Sequence, residues 1–86
     1  MALTAANIID DFPIRQRVPA VILAALLNAS PRVAEMQTLR DEIETLTGNR
    51  ASEESVRSAV KRVRRAIGGR AEIETLNGIG YRIRLI

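Results

Sequence analysis

Five cations lie within nine residues of the chain, from Arg57 to Arg65. Plotted at 100° per residue, they share one side of a predicted helix with a serine and with no acid. The residues of this side are Arg57, Ser58, Lys61, Arg62, Arg64 and Arg65. Lysine and arginine contact phosphates, and arginine also pairs with the O6 and N7 atoms of guanine. The spacing therefore predicts a surface that binds a polyanion.

A solvated face that only keeps the protein soluble is the alternative. Such faces usually alternate acids and bases at a spacing of four residues, whereas the acids Glu53 and Glu54 occur only in the first turn. Residues 1–49 carry a net charge of −2 and residues 50–86 a net charge of +5. This asymmetry favours an anionic partner, and we predict that the helix contacts DNA.

The other side of the same helix carries an apolar stripe that is predicted to dock on the core. Its residues are Val56, Ala59, Val60, Val63, Ala66 and Ile67. Ser52 is a suitable N-cap and Gly68 a suitable stop, so we predict this helix over about 53–67.

Two helices are predicted before it. Residues 20–28 are apolar nearly all round, which indicates a buried helix with Pro19 in its first turn. A second helix is predicted over about 35–46, with an acidic opposite face. Its apolar residues are Met36, Leu39, Ile43 and Leu46. Residues 1–17 show no clear period and are predicted to be a short lead segment, either irregular or a short strand.

From Ala71 the apolar residues recur at every second position, which predicts a β-hairpin. We predict that Thr75 faces Tyr81. In that register the other facing pairs are Ile73 with Ile83, Glu74 with Arg82, and Glu72 with Arg84. Apolar pairs then occupy one face of the hairpin and opposite charges the other.

The segment Asn77-Gly-Ile-Gly80 between these strands permits positive φ angles and the close approach of another molecule. A hairpin tip that lies on DNA requires both, although an ordinary turn is the alternative. The basic helix before it favours the DNA-contacting tip. Three helices followed by a hairpin predict an α+β fold, a winged helix-turn-helix, over residues 18–86.

The chain contains no Cys and no His, which excludes disulfides, Cys/His zinc sites, thiol nucleophiles and imidazole-based catalysis. Carboxylate chemistry at Asp41, Glu42 and Glu44 is less plausible than a solvated face beside Arg40. We therefore expect no enzyme, no cofactor and no metal site. The longest apolar stretch, residues 18–27, is too short to span a bilayer, so we predict no membrane partner and a cytoplasmic location.

Two segments resemble the OmpR/PhoB-type output domain of response regulators, and the resemblance covers about residues 18–86. They are Ser55-Val-Arg-Ser-Ala-Val-Lys-Arg-Val-Arg-Arg-Ala-Ile-Gly68 and Glu74-Thr-Leu-Asn-Gly-Ile-Gly-Tyr-Arg-Ile83. The family implies that the third helix enters the major groove and that the hairpin wing, about residues 72–85, lies near the minor groove.

Position by position, the resemblance implies two sets of contacts on the helix. Base or nearby phosphate contacts fall on Arg57, Ser58, Lys61 and Arg62. Backbone contacts fall on Ser55, Arg64 and Arg65, and the wing adds Asn77, Gly78 and Arg82 to the predicted DNA-binding residues. Asn77 stands where many members have arginine, and Arg57 stands where an acid is common, so a base preference does not transfer.

The usual receiver domain of such regulators is not in this sequence. We therefore expect a stand-alone domain that aspartyl phosphorylation does not control. Asp10 and Asp11 are expected to be solvated acids of the lead segment.

Taken together, these features predict a sequence-specific transcription regulator that binds double-stranded DNA, bacterial or phage-like and associated with the nucleoid. One recognition helix reads few base pairs, so a homodimer or a partner regulator is expected. RNA polymerase is a further candidate partner, although the loop 47–51 is short for that contact. The alternative function is a winged-helix protein–protein interaction module, an adaptor or inhibitor of the transcription machinery.

Overall fold

Three helices lead into a small antiparallel sheet in the computed structural model, which describes residues 16–85. The elements are α1 (Arg17–Ala29), β1 (Ala34–Glu35), α2 (Met36–Thr47), α3 (Glu53–Ile67), a 3-10 turn (Gly68–Arg70), β2 (Ala71–Leu76) and β3 (Gly80–Leu85). The predicted winged-helix fold is confirmed. The strand suggested for the lead segment falls on residues 1–15, which lie outside the described residues.

The first helix is the centre of the core. α1 begins at Arg17, and Pro19 lies in its first turn as predicted, where a missing N–H costs nothing. Its buried residues are Pro19, Ala20, Ile22, Leu23, Ala24 and Leu26. They cover much of the circumference, and α1 contacts α2, α3 and β3. The second and third helices therefore take their positions from one shared apolar surface.

The turn between α2 and α3 is held by side chains of α2. Gly48 ends α2 with a φ of 74°, a conformation that favours glycine. Ala51 is buried, and both of its backbone polar groups are bound: its N–H donates to Oε2 of Glu44 at 2.9 Å, and its carbonyl accepts from Nε of Arg40 at 3.0 Å. These two hydrogen bonds fix the point at which the chain enters α3.

The sheet has the order β1-β3-β2, with β3 in the centre. The β2–β3 register pairs Thr75 with Tyr81, and every other predicted pair is also observed. β1 pairs its two residues, Ala34 and Glu35, with Tyr81 and Gly80. The sequence pattern does not predict β1, because two residues are too short to show an alternation.

Gly80 allows β1 to approach β3 closely. A Cβ atom at Gly80 would overlap the carbonyl oxygen of Ala34 and lie 2.9 Å from the Cα of Glu35. The N–H of Met36 also donates to the carbonyl of Ile79 at 2.9 Å, which ties the hairpin turn to the start of α2. At Gly80, the close approach that was expected of another molecule is thus made by β1 of the same chain. The positive φ expected in this segment, 77°, belongs to Gly78.

We predict that Gly80→Ala destabilises the protein by about 1–3 kcal/mol, because the added methyl group forces β1 away from β3. Gly69→Ala is the matched control, since a Cβ atom there meets nothing within 4 Å and the backbone needs no positive φ. Urea unfolding of both variants measures the difference. Equal free energies of unfolding for the two variants would contradict the assigned packing.

We predict that Glu44→Ala lowers the free energy of unfolding by about 1–2 kcal/mol, because the buried N–H of Ala51 loses its acceptor. Glu42→Ala, on the exposed side of the same helix, is the control for helix propensity and net charge. Urea unfolding again provides the measurement. A loss of the same size in the control would show that the Ala51 contact contributes nothing.

Candidate nucleic-acid interface

The two sides of α3 are separated as its sequence predicts. Its buried residues are Val56, Ala59, Val60, Val63 and Ile67, and Ala66 is partly buried. All seven residues of α3 that were predicted to contact DNA are exposed, namely Ser55, Arg57, Ser58, Lys61, Arg62, Arg64 and Arg65. Burial of the stripe therefore determines the rotation of α3 and turns its cations outward.

The line directly opposite the buried stripe carries Ser58, Lys61 and Arg65. At 100° per residue these three positions lie within about 60° of one another. Within residues 16–85, the side chains of Lys61 and Arg65 have no hydrogen bond and no ion pair. Two unpaired cations at the centre of the exposed face are free to bind an external anion.

Arg57 is paired with both acids of the first turn of α3. Its Nη2 lies 3.5 Å from Oε2 of Glu53, and its Nη1 lies 3.4 Å from Oε2 of Glu54. All three side chains are more than half exposed, so each pair contributes only about 0–1 kcal/mol. Arg57 is thus a partly neutralised cation, and its spacing of three and four residues from the acids is the sequence signal for this pairing.

Arg64 faces the hairpin. Its Nη2 donates to the carbonyl of Ile73 at 2.8 Å and to Oγ1 of Thr75 at 2.9 Å. Both acceptors belong to β2, which lies at the edge of the sheet. The residue predicted to contact the DNA backbone thus connects α3 to the wing, a role that the sequence did not indicate.

Two predicted residues, Arg62 and Ser55, lie on the same flank of the exposed face, about 20° apart at 100° per residue. Nη1 of Arg62 donates to Oε1 of Gln16 at 3.2 Å. The N–H of Ser55 donates to Oγ of Ser52 at 3.1 Å, and the two hydroxyl groups are 3.1 Å apart. Ser52 is therefore the predicted N-cap, and Ser55 belongs to the same cap.

The hairpin turn lies beside the start of α3. Asn77 and Gly78 are exposed, and they line an open cleft of about 200 Å³ together with Glu53 and Arg57. The structure thus brings the predicted wing residues next to one edge of the cationic face.

Arg82 is separated from this face. It alternates along β3 with the buried residues Tyr81 and Ile83, so it lies on the opposite side of the sheet. Its Nη2 is 2.9 Å from Oε2 of Glu74. The structure does not group Arg82 with the cations of α3.

Arg84 lies on the same outer face of the hairpin as Arg82. Its Nη2 donates to Oε2 of Glu72 at 2.9 Å. This hydrogen bond, followed by the negative charges of Glu72 and Glu74, raises the pKa of Arg84. The four charged residues of the outer face of the hairpin are therefore paired with one another.

Within residues 16–85, none of the helices has the length and apolarity needed to cross a membrane.

Comparison with known protein families gave a match over most of the described residues. The model described as "Transcriptional regulatory protein, C terminal" matches residues 19–83, which is more than half of the chain. Searches of curated proteins and of solved structures gave no match. The match spans most of α1, all of β1, α2 and α3, and most of the hairpin, and it includes the cationic face and the wing turn. The chain belongs to this family of transcriptional regulators, the OmpR/PhoB-type winged-helix DNA-binding domains.

Proposed function

We propose that this DNA-binding domain reads double-stranded DNA in a sequence-specific manner, with α3 in the major groove and the β2–β3 hairpin near the minor groove. The observation that carries the proposal is the pair of unpartnered cations, Lys61 and Arg65, on the line opposite the buried stripe. α3 has 15 residues and is about 22 Å long, so its exposed side reaches several base pairs when it lies in a groove.

The residues of α3 take three roles according to their position. Lys61 and Arg65 contact phosphates or guanine edges, since nothing within the described chain neutralises them. Ser58, between them and the start of the helix, is short enough to let the helix backbone approach the base edges. Arg62 reads a base from the α1 side, and its hydrogen bond to Gln16 sets the direction of its guanidinium group.

The wing contributes through its turn. Asn77, Gly78 and Ile79 are the exposed residues of that turn, and the hydrogen bonds of Arg64 to β2 help to hold the hairpin beside α3. A fixed distance between helix and turn suits a protein that contacts two neighbouring grooves at once. Arg82 contributes little, because Glu74 pairs with it on the far side of the sheet.

A single copy of α3 reads few base pairs, so the regulator binds as a homodimer or beside a partner regulator. RNA polymerase is a further partner of such a complex. The acidic exposed side of α2, with Asp41 and Glu42, is the surface that remains free for a protein when α3 lies in the groove.

We expect Arg65→Ala to reduce the slope of log K against log salt by about 0.9, because one phosphate contact is lost. Fluorescence anisotropy of labelled genomic fragments across a salt series measures this slope. Arg32→Ala is the control: it removes the same charge from the exposed turn between α1 and β1. An unchanged slope for Arg65→Ala would remove this residue from the phosphate contacts. Absence of DNA binding by the unmodified protein at low salt would instead favour the protein–protein interaction module.

We expect Arg64→Lys to loosen the wing while it leaves the charge of α3 unchanged. Lysine has a shorter side chain without the planar guanidinium fork, so its ammonium group does not reach the carbonyl of Ile73 and the hydroxyl of Thr75 in the same geometry, a loss of about 1 kcal/mol. Amide hydrogen exchange in β2 and β3 should become faster, and DNA affinity should fall several-fold with no change in the salt slope.

Arg65→Lys is the control for Arg64→Lys, because the Arg65 side chain makes no hydrogen bond to the hairpin within residues 16–85. It should leave amide exchange in the hairpin unaltered. If Arg64→Lys also leaves exchange unaltered, the hydrogen bonds to β2 do not hold the wing.

A further inference from the structure

The DNA-facing line of α3 begins with an acid. Glu54, Ser58, Lys61 and Arg65 follow one another at spacings of four, three and four residues, so all four lie along one side of the helix. Glu53, the other acid of α3, is rotated toward the wing and lines the cleft beside Asn77, whereas Glu54 does not. The Glu54 side chain is 75% exposed, against 57% for Glu53. Glu54 is therefore the acid that meets DNA when this line enters the groove.

A carboxylate in this position is costly unless it finds a particular partner. Phosphates repel it, and most atoms on the major-groove edges are acceptors, namely N7 and O6 of guanine, N7 of adenine and O4 of thymine. Donors are limited to the amino groups of cytosine and adenine, and acidic side chains accept from the N4 amino group of cytosine. An acid on the groove-facing line thus favours DNA sequences that place an amino group opposite it and disfavours the others.

We propose that Glu54 is a specificity-determining residue that selects a cytosine in the binding site by accepting a hydrogen bond from its N4 amino group; the proposal rests on the proposed function. Arg57 supports this role. Its Nη1 lies 3.4 Å from Oε2 of Glu54 and partly offsets the negative charge of the carboxylate against the phosphates. Without that acid, the same line would present only neutral and positive groups and would bind any DNA sequence more tightly.

A structural role in the first helical turn is the competing explanation, since acids there interact favourably with the helix dipole. Glu53 provides the matched control for it. Glu53 is also in the first turn and also pairs with Arg57, but it lies on the wing side of the groove-facing line. A dipole effect should be shared by both acids, whereas base selection should depend on Glu54 alone.

The experiment selects binding sites from a random duplex library with the full chain, with Glu54→Ala and with Glu53→Ala. We expect the unmodified protein and Glu53→Ala to select the same site with a fixed cytosine. Glu54→Ala should lose the preference at that one position and keep the rest of the site. Its affinity for unrelated DNA should rise several-fold, because a phosphate-repelling charge is gone.

A change in the DNA provides a test that does not depend on the folding of a variant. The selected cytosine is replaced by a 2-pyrimidinone nucleotide, which still pairs with guanine but lacks the N4 amino group. Affinity of the unmodified protein should fall about tenfold, as for one lost base contact, and Glu54→Ala should bind both duplexes equally.

Four results would overturn the proposal. Glu54→Ala selects an unchanged site, the unmodified protein is insensitive to the pyrimidinone, the position that changes is an adenine, or both glutamate variants lose the same preference. In each of these cases the selected site itself remains, and sequence-specific binding stands. Failure of the unmodified protein to select any site would overturn the proposed function, and the role of Glu54 with it.

Discussion

Burial of the apolar stripe of α3 is the constraint on which the interface depends. Val56, Val60 and Val63 are at most 1% exposed, so α3 cannot rotate without exposing them to water. That rotation directs Lys61 and Arg65 away from the core, where they have no partner within the described chain. The hydrogen bonds of Glu44 and Arg40 to Ala51 then set where the helix begins. The position of the cations is thus a consequence of packing on their opposite side.

Two contacts that the sequence pattern does not show help to attach the wing to the helices. One is the short β1 strand, which pairs with β3 because Gly80 has no side chain to exclude it. The other is Arg64, whose guanidinium group binds the edge strand β2. A two-stranded hairpin is marginal on its own, so these attachments and the burial of Tyr81 and Ile83 give it a defined place beside α3.

The cations of the second half of the chain are not equivalent once the fold is formed. Arg82 and Arg84 are paired with acids across the hairpin, and Arg57 is paired within α3. Lys61 and Arg65 remain unpaired within residues 16–85. A count of basic residues therefore overstates the surface that can attract DNA. The positions of the acids determine which cations belong to that surface. In the proposed docking, an acid on the groove-facing line limits the sequences that bind, while the unpaired cations provide the attraction.

The local sequence pattern determined much of the fold of this protein. The period of the apolar residues placed α3 and the hairpin register, because both depend on residues close together in the chain that share a face. The tertiary structure alone decided the pairing of Ala34 with Tyr81, the contact of Arg62 with Gln16 and the use of Arg64 by the wing. The first two of these contacts join residues more than forty positions apart in the chain. The third depends on a long side chain whose residue type suits a contact with DNA and a contact with its own chain equally well. Whether such a side chain contacts DNA or its own chain depends on whether packing brings a partner within hydrogen-bonding distance. The periodicity of the sequence does not specify that distance.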